Sequence, residues 1–129
     1  MLKVISIVFV ISFCLAFGQI LLKMSFEKND FNFGFTNLNF QQINKTFFSS
    51  YFLSAIIILI IAVILWFFVI SENVQLSLIY PLLSISYIIM AVLAYFLLGE
   101  ELSLQKIVGI CIVCIGITII MWGYKFPLR

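Results

Sequence analysis

Four long runs without a charged side chain constrain the fold of this 129-residue chain more than any other feature. They cover residues 4–22, 51–70, 76–99 and 107–124. A helix needs about 20 consecutive apolar residues to cross the hydrocarbon core of a bilayer. We therefore predict an all-α membrane protein, a single domain over residues 1–129 with four transmembrane helices.

The composition excludes several classes of protein. Apolar residues make up 65% of the chain and charged residues 9%, whereas a soluble domain has about 25% charged residues. No separate soluble catalytic domain fits beside four spans, so we expect no enzyme and no cofactor. The net charge of +2 comes from scattered lysines and one arginine, which argues against nucleic-acid binding. Cys111-x-x-Cys114 lies inside an apolar run of a chain without His, which favours packing over a metal site.

The segment between the first two runs, residues 24–50, is predicted to be a long loop. It contains four charged residues and many Asn, but it is also rich in Phe. Apolar side chains near one face of a short helix are typical of a segment at the depth of the lipid headgroups. We therefore expect the loop to dock at the membrane interface. A cleavable signal peptide is the competing interpretation of the first run, and it is disfavoured because apolar residues continue past Gly18.

Polar side chains recur on one face of the first helix and of the third. The first polar row is Ser12, Ala16, Gln19 and Lys23; the second polar row is Ser77, Tyr80, Ser84, Tyr87, Ala91 and Tyr95. Polar residues inside a membrane face a protein interior or a water-filled path. We expect Ser12, Gln19 and Lys23 to share a wetted cavity with Tyr80, Ser84 and Tyr87. The alternative is that these groups only link neighbouring helices.

Other features concern the shape and ends of the helices. Pro81 lacks the N–H that would bond to the carbonyl of Ser77, so we expect a kink in the third helix. Lys23, Glu100 and Lys106 fall at one membrane face and Glu72 at the other, and pairing of Lys23 with Glu100 is compatible with this placement. Ser103 is expected to cap the fourth helix.

Glycines recur at seven-residue intervals on the fourth helix, at Gly109, Gly116 and Gly123. Glycines in register let another helix approach closely, which predicts a packing seam. We favour a seam between subunits, either of a homodimer or of a heterodimer with a related small subunit. The lysines and the arginine divide three against four between the two sides, so the positive-inside rule does not choose an orientation.

Three segments together resemble a known family. They are Gly18-Gln19-Ile20-Leu21-Leu22-Lys23, Ile79-Tyr80-Pro81-Leu82-Leu83-Ser84, and Leu98-Gly99-Glu100-Glu101-Leu102-Ser103 followed by Lys106-Ile107-Val108-Gly109. In this order they resemble the drug/metabolite transporter superfamily, in its small, multidrug-resistance-like (EamA-like) branch of four-helix proteins. The resemblance covers nearly the whole chain except residues 27–50, which form a longer loop than is usual for that branch.

Within that branch the resemblance implies two competing functions. Proton-coupled drug exporters carry a Glu three residues before the first Gly of the helix-one segment, and here that position is Leu15. No predicted span contains an acid or a His, so proton exchange lacks its buried titratable group.

The segments look closer to subunits that flip undecaprenyl-phosphate-linked aminoarabinose across the bacterial inner membrane. The resemblance therefore implies a flippase for a polyprenyl-phosphate sugar, with a lipid-linked substrate. The phosphate would bind Lys23 and Lys106. The sugar would form hydrogen bonds with Gln19, Tyr80, Ser84 and Tyr87. An amino group on the sugar would pair with Glu100 or Glu72. An exporter of cations or small metabolites, and a non-transporting membrane subunit of a glycosyltransferase system, remain the alternatives.

Overall fold

A computed structural model of the protein describes residues 2–31 and 40–123, and these residues form six helices. In chain order the helices are α1 (Leu2–Lys28), α2 (Phe40–Phe47), α3 (Ser50–Ser71), α4 (Leu76–Leu83), α5 (Ile85–Leu98) and α6 (Leu104–Gly123). Four helical segments are long and apolar enough to cross a membrane: α1, α3, α4 together with α5, and α6. The predicted four-span membrane architecture is confirmed at this level.

The expected long loop over residues 24–50 is not confirmed. Its first residues belong to α1, which continues through the charges to Lys28, and residues 40–47 form α2. Lys, Glu and Met are good helix formers, so leaving the apolar run does not end the helix. Lys23 and Glu27, one turn apart, also form an ion pair at 3.8 Å. Residues 32–39 of the expected loop lie outside the described residues.

Helices α1 and α3 pack along faces with a seven-residue period. The buried residues on these faces are Ile11, Gly18 and Ser25 on α1, and Ala55, Ala62 and Val69 on α3. At Gly18 the approach is so close that a Cβ atom would lie 2.9 Å from Cδ2 of Leu59. Small residues in membrane helices allow such contact between backbones. This interface, which the sequence analysis did not predict, is the main packing surface of α1.

Hydroxyl groups fasten α2 and the start of α3 to α1. The Oγ atoms of Ser25 and Ser49 are 2.6 Å apart, and the Ser25 hydroxyl donates to the carbonyl oxygen of Thr46 at 3.5 Å. Ser49 caps α3 by accepting a hydrogen bond from the N–H of Phe52 at 3.2 Å. Phe47 packs against Phe52 with ring centroids 4.6 Å apart. These contacts hold α2 against the end of the bundle.

The third span is interrupted at Ser84, three residues beyond Pro81. There the N–H of Ser84 donates to the carbonyl of Pro81 and the N–H of Tyr87 donates to the carbonyl of Ser84, both at 3.0 Å. These three-residue bonds form a tighter turn than an α-helix. The N–H that Pro81 lacks would have bonded to the carbonyl of Ser77, on the other side of the proline from Ser84, so its absence does not account for the interruption. The interruption lies three residues beyond the proline.

The apolar core lies at the end of the bundle where α1 begins and α6 ends. It consists of Val8, Ile11, Ala62, Val69, Ile79 and Leu82. Ile117 and Met121 of α6 pack against it. Both ends of the described chain are thus on the same side. The opposite end, called here the loop end, holds α2, the end of α1 and the turn between α5 and α6. Helix α6 contacts mainly α4 and α5, and most of its side chains are exposed.

Candidate functional site

Charged side chains from three parts of the chain meet at the loop end. Lys23 near the end of α1 donates a hydrogen bond to Oε1 of Glu100, and Nζ of Lys106 on α6 lies 3.9 Å from Oε2 of the same carboxylate. Glu27 adds a second acid beside Lys23. We call Lys23, Glu100 and Lys106 the ion cluster. The pairing of Lys23 with Glu100, considered from the sequence, is confirmed.

Local backbone geometry places Glu100 and Lys106 in the cluster. Gly99 ends α5 in the left-handed region at φ 66°, where a glycine has no Cβ to clash. The chain turns back there, and the N–H of Glu100 donates to the carbonyl of Ala94 at 3.2 Å. Ser103 then accepts a hydrogen bond from the N–H of Lys106 through its Oγ at 3.3 Å. The predicted cap at Ser103 is confirmed, although α6 begins at Leu104 rather than at residue 107.

The lysines stabilise the charged form of Glu100. The hydrogen bond and charge of Lys23, with a smaller contribution from Lys106, lower the pKa of Glu100 below its ordinary value. Glu100 is therefore ionised at neutral pH, and the cluster carries two cations on one anion. Glu27 lies 3.8 Å from Lys23, so the two lysines face two carboxylates and their charges balance. A further anionic group would bind here by displacing a carboxylate from one of the lysines.

An open groove of about 420 Å³ lies beside the cluster. It is lined by Lys23, Phe26, Glu27, Asp30 and Phe31. Phe26 and Phe31 stack on each other with ring centroids 5.5 Å apart. The groove therefore combines a cation, two acids and an aromatic wall at the membrane surface. No role in a site is predicted from the sequence for Phe26, Glu27, Asp30 or Phe31, because they fall in the segment expected to be a loop.

The first polar row does not behave as one surface. Ser12 is fully buried and its hydroxyl has no hydrogen-bond partner among the described residues, whereas Gln19 and Lys23 are exposed. Gln19 is exposed although its chain neighbours Gly18 and Ile20 are buried. Gln19 and Lys23, four residues apart, remain accessible together at the loop end.

The second polar row is also divided. Tyr80 is exposed and its ring packs edge-on against Trp66, Ser84 is half-buried at the interruption of the third span, and Tyr87 is exposed. Tyr87 lines a second groove, of about 290 Å³, between α5 and α6. Neither described groove is lined by members of both rows. These two grooves are therefore not the cavity that was expected to join the two rows.

The remaining predicted residues are placed as follows. Glu72 is exposed at the end opposite the loop end, away from the ion cluster. A Cβ atom at Gly109 or Gly116 would meet no atom within 4 Å, so neither glycine serves a close contact within the described residues. The surroundings of Gly123 lie outside what is described. Within residues 2–31 and 40–123, no group of His, Cys, Asp and Glu is arranged to hold a metal ion.

Comparison with protein-family models, with curated proteins and with solved structures finds no match to this chain.

Proposed function

We propose that the protein translocates a polyprenyl-phosphate-linked sugar, with an amino group on the sugar, across the bacterial inner membrane. The observation that carries this proposal is the ion cluster at the loop end, where Lys23 and Lys106 pair with Glu100, and Lys23 also with Glu27, beside an open groove. The resemblance of the helix-one, helix-three and helix-four segments to flippase subunits supports the same substrate class. A polyprenyl chain remains in lipid, so four helices are enough protein to carry the polar head.

The charges of such a head complement those of the cluster. A phosphate brings negative charge to Lys23 and Lys106, and hydrogen bonds between charged groups are the stronger kind. When the phosphate engages Lys23, Glu100 is released from its main partner. The ammonium group of the sugar then pairs with Glu100. Each charge of the substrate thus takes a partner of opposite sign.

Polar groups near the cluster supply contacts for the sugar ring. Gln19 is exposed one helical turn from Lys23, toward the membrane centre, and offers both a donor and an acceptor. Tyr87 is exposed on the groove that also includes Lys106. Tyr80 and Ser84 lie further from the loop end and would meet the sugar later on its path. Ser12, buried and dry, is not part of this proposal.

The rival function of proton-coupled export lacks a chemical basis in the described spans. Leu15 stands where the exporters have their glutamate, and it is half-buried among apolar residues of the core. Exchange of a proton for a cation requires a carboxylate with a raised pKa. The acids nearest the bundle, Glu27 and Glu100, stand at its end instead.

We further propose that the protein works as a dimer, with itself or with a related small subunit. Helix α6 is the most exposed of the four spans, and a Cβ atom at Gly116 would meet no described atom within 4 Å. A seam that includes Gly116 would therefore lie between subunits. A non-transporting role in a glycosyltransferase system would use the same surface, but it gives no part to the ion cluster.

Translocation in reconstituted liposomes tests the proposed function. A fluorescent polyprenyl-phosphate aminosugar is placed in the outer leaflet, and a membrane-impermeant quencher reports how fast it reaches the inner leaflet. We expect the intact protein to accelerate this movement, and Lys23→Met to slow it about tenfold because a charge-assisted contact is lost. Lys45→Met is the matched control, since Lys45 is an exposed lysine of α2 at the same end and outside the ion cluster.

Two results would contradict the proposal. The first is movement no faster than in protein-free liposomes, and the second is an equal effect of Lys23→Met and Lys45→Met. A sugar whose amino group is acetylated provides a further comparison. It should move more slowly than the amino form with the intact protein, and Glu100→Gln should remove that difference.

A further inference from the structure

The groove between α5 and α6 has a composition unlike the rest of the site. Its walls are Tyr87, Ile88 and Ala91 on α5 and Gly109, Ile110 and Val113 on α6, and they are almost entirely apolar. Lys106 closes the groove at the loop end. The same Lys106 belongs to the ion cluster through Glu100. The groove therefore starts at the cluster and runs from it toward the membrane centre.

Small residues on both walls create the space. Ala91 and Gly109 project little volume, and a Cβ added to Gly109 would meet no atom within 4 Å. Water occupies about 30 Å³ per molecule, so the groove of about 290 Å³ has room for roughly ten groups of the size of water or methylene. An apolar surface of this kind does not hold water well. The space suits a hydrocarbon chain.

We propose that the groove between α5 and α6 seats the first isoprene units of the lipid-linked substrate, with the phosphate at Lys106. This inference rests on the proposed function. It assigns the polyprenyl chain of the substrate to the side of the protein formed by α5 and α6. An apolar trough that ends in a cation at the membrane surface complements a lipid with an anionic head. Nζ of Lys106 lies 3.9 Å from Oε2 of Glu100 and donates to the backbone carbonyl of Glu101 at 3.2 Å. A phosphate would replace these two oxygen atoms as its partner.

The size of the groove distinguishes a chain from a second subunit. A helix with its side chains is about 10–12 Å across, so a helix of another copy lies over this groove and does not fill it. A seam between subunits would then centre on Gly116, one heptad further along α6, where no groove is described. Gly109 and Gly116 thus have different roles although both are open glycines of the same helix.

Photolabelling of the intact protein in nanodiscs tests the inference. The probe is a polyprenyl phosphate with a diazirine in its first isoprene units, and labelled peptides are identified by mass spectrometry. We expect labels on Ala91, Gly109, Ile110 and Val113, and competition by unlabelled polyprenyl phosphate but not by phosphatidylglycerol. Gly109→Leu fills the groove and should abolish these labels. Cys111→Leu is the matched control, since Cys111 is an exposed residue of α6 outside the groove, and it should leave the labels unchanged.

Each of the other outcomes overturns the inference. Equal competition by phosphatidylglycerol would mean that ordinary membrane lipid fills the groove. Loss of the labels in Gly116→Leu as well as in Gly109→Leu, together with disulfide formation between two copies carrying Gly109→Cys, would mean that a second copy covers it. Labels spread evenly over the lipid-facing residues of α6 would mean that the groove does not bind the isoprene units specifically.

Failure of this inference can be separated from failure of the proposed function. If the intact protein moves the substrate and Gly109→Leu moves it equally well, the chain stays in bulk lipid while the proposed function stands. If the groove is labelled but the substrate does not cross the membrane, the protein binds the lipid without translocating it. The photolabelling and the translocation assay both use the full-length protein with Gly109→Leu and its control Cys111→Leu.

Discussion

The close approach of α1 and α3 at Gly18 makes a quantitative prediction about stability. Gly18→Ala would place a methyl carbon 2.9 Å from Cδ2 and 3.0 Å from Cγ of Leu59. Non-bonded carbons rest about 3.5–4.0 Å apart, so the helices must separate by roughly half an ångström or Leu59 must leave its rotamer. Overpacking of this kind costs about 1–3 kcal/mol. We therefore expect Gly18→Ala to weaken the main interface of α1.

Gly109→Ala is the control that isolates this cost. The same change in helix propensity occurs at both positions, and at Gly109 the added Cβ meets no described atom within 4 Å. The difference between the two variants in the free energy of unfolding should therefore be the overpacking cost, about 1–3 kcal/mol. A difference of 1.4 kcal/mol changes the unfolding equilibrium constant tenfold.

Equilibrium unfolding in detergent micelles, followed by circular dichroism as the fraction of dodecyl sulfate is raised, measures this difference. We expect the midpoint of Gly18→Ala to fall below those of the unmodified protein and of Gly109→Ala. Equal midpoints for the two variants would refute the packing of α1 against α3 described above. Leu59→Ala combined with Gly18→Ala should restore part of the lost stability, because the shorter side chain makes room for the methyl group.

Three further predictions concern the polar contacts of the loop end. In carbon-13 NMR the pKa of Glu100 should lie below 4.5, its ordinary value. Lys23→Met should raise this pKa, because the hydrogen bond from Lys23 lowers it. An unchanged titration of Glu100 in that variant would show that the pair does not form. Because the pKa is lowered in the folded state, the contribution of Glu100 to stability should be complete at neutral pH and should disappear as the pH falls through the lowered pKa. Ser25→Ala and Ser49→Ala should be coupled in a double-mutant cycle by about 0.6 kcal/mol, the average for hydrogen bonds between membrane helices, and additive effects would contradict the 2.6 Å contact between their hydroxyls.

The spans could be predicted from the sequence because a bilayer imposes a length and an apolar composition on any helix that crosses it. The runs over residues 51–70 and 76–99 correspond closely to α3 and to α4 with α5. The end of α1 was missed because a change from apolar to charged residues marks the edge of the bilayer and does not by itself end a helix. Lys23 through Lys28 continue the helix into the interfacial region.

The packing of α1 against α3 could not be predicted from hydrophobicity. In a membrane, lipid-facing and buried side chains are equally apolar, so the sequence of α3 shows little contrast between its faces. The signal that was available is the seven-residue spacing of Ala55, Ala62 and Val69 opposite Ile11, Gly18 and Ser25. Small residues at that spacing indicate close contact in lipid better than any amphipathic pattern.

The site was predicted in part. Lys23 and Glu100 could be assigned to one membrane face because Lys23 directly follows the first span and Glu100 directly follows the third. Both spans leave the membrane on the same side. The division of the polar rows could not be anticipated, because Ser12 is buried and Gln19 is exposed by contacts with other helices, which the spacing along α1 does not encode. Residues on one face of a helix share a direction, but their environment changes along the axis of the bundle.

The measurement that tests the central claim most directly is the distance between the substrate phosphate and the lysine side chains in a bilayer. Solid-state NMR with nitrogen-15 in the lysines detects phosphorus-31 through dipolar dephasing, and single Lys→Met variants assign the signals. We predict dephasing of the Lys23 and Lys106 signals by a bound polyprenyl-phosphate sugar, and none at Lys28 or Lys45. Dephasing that is absent from Lys23 and Lys106, or equal at all lysines of the loop end, would contradict the account.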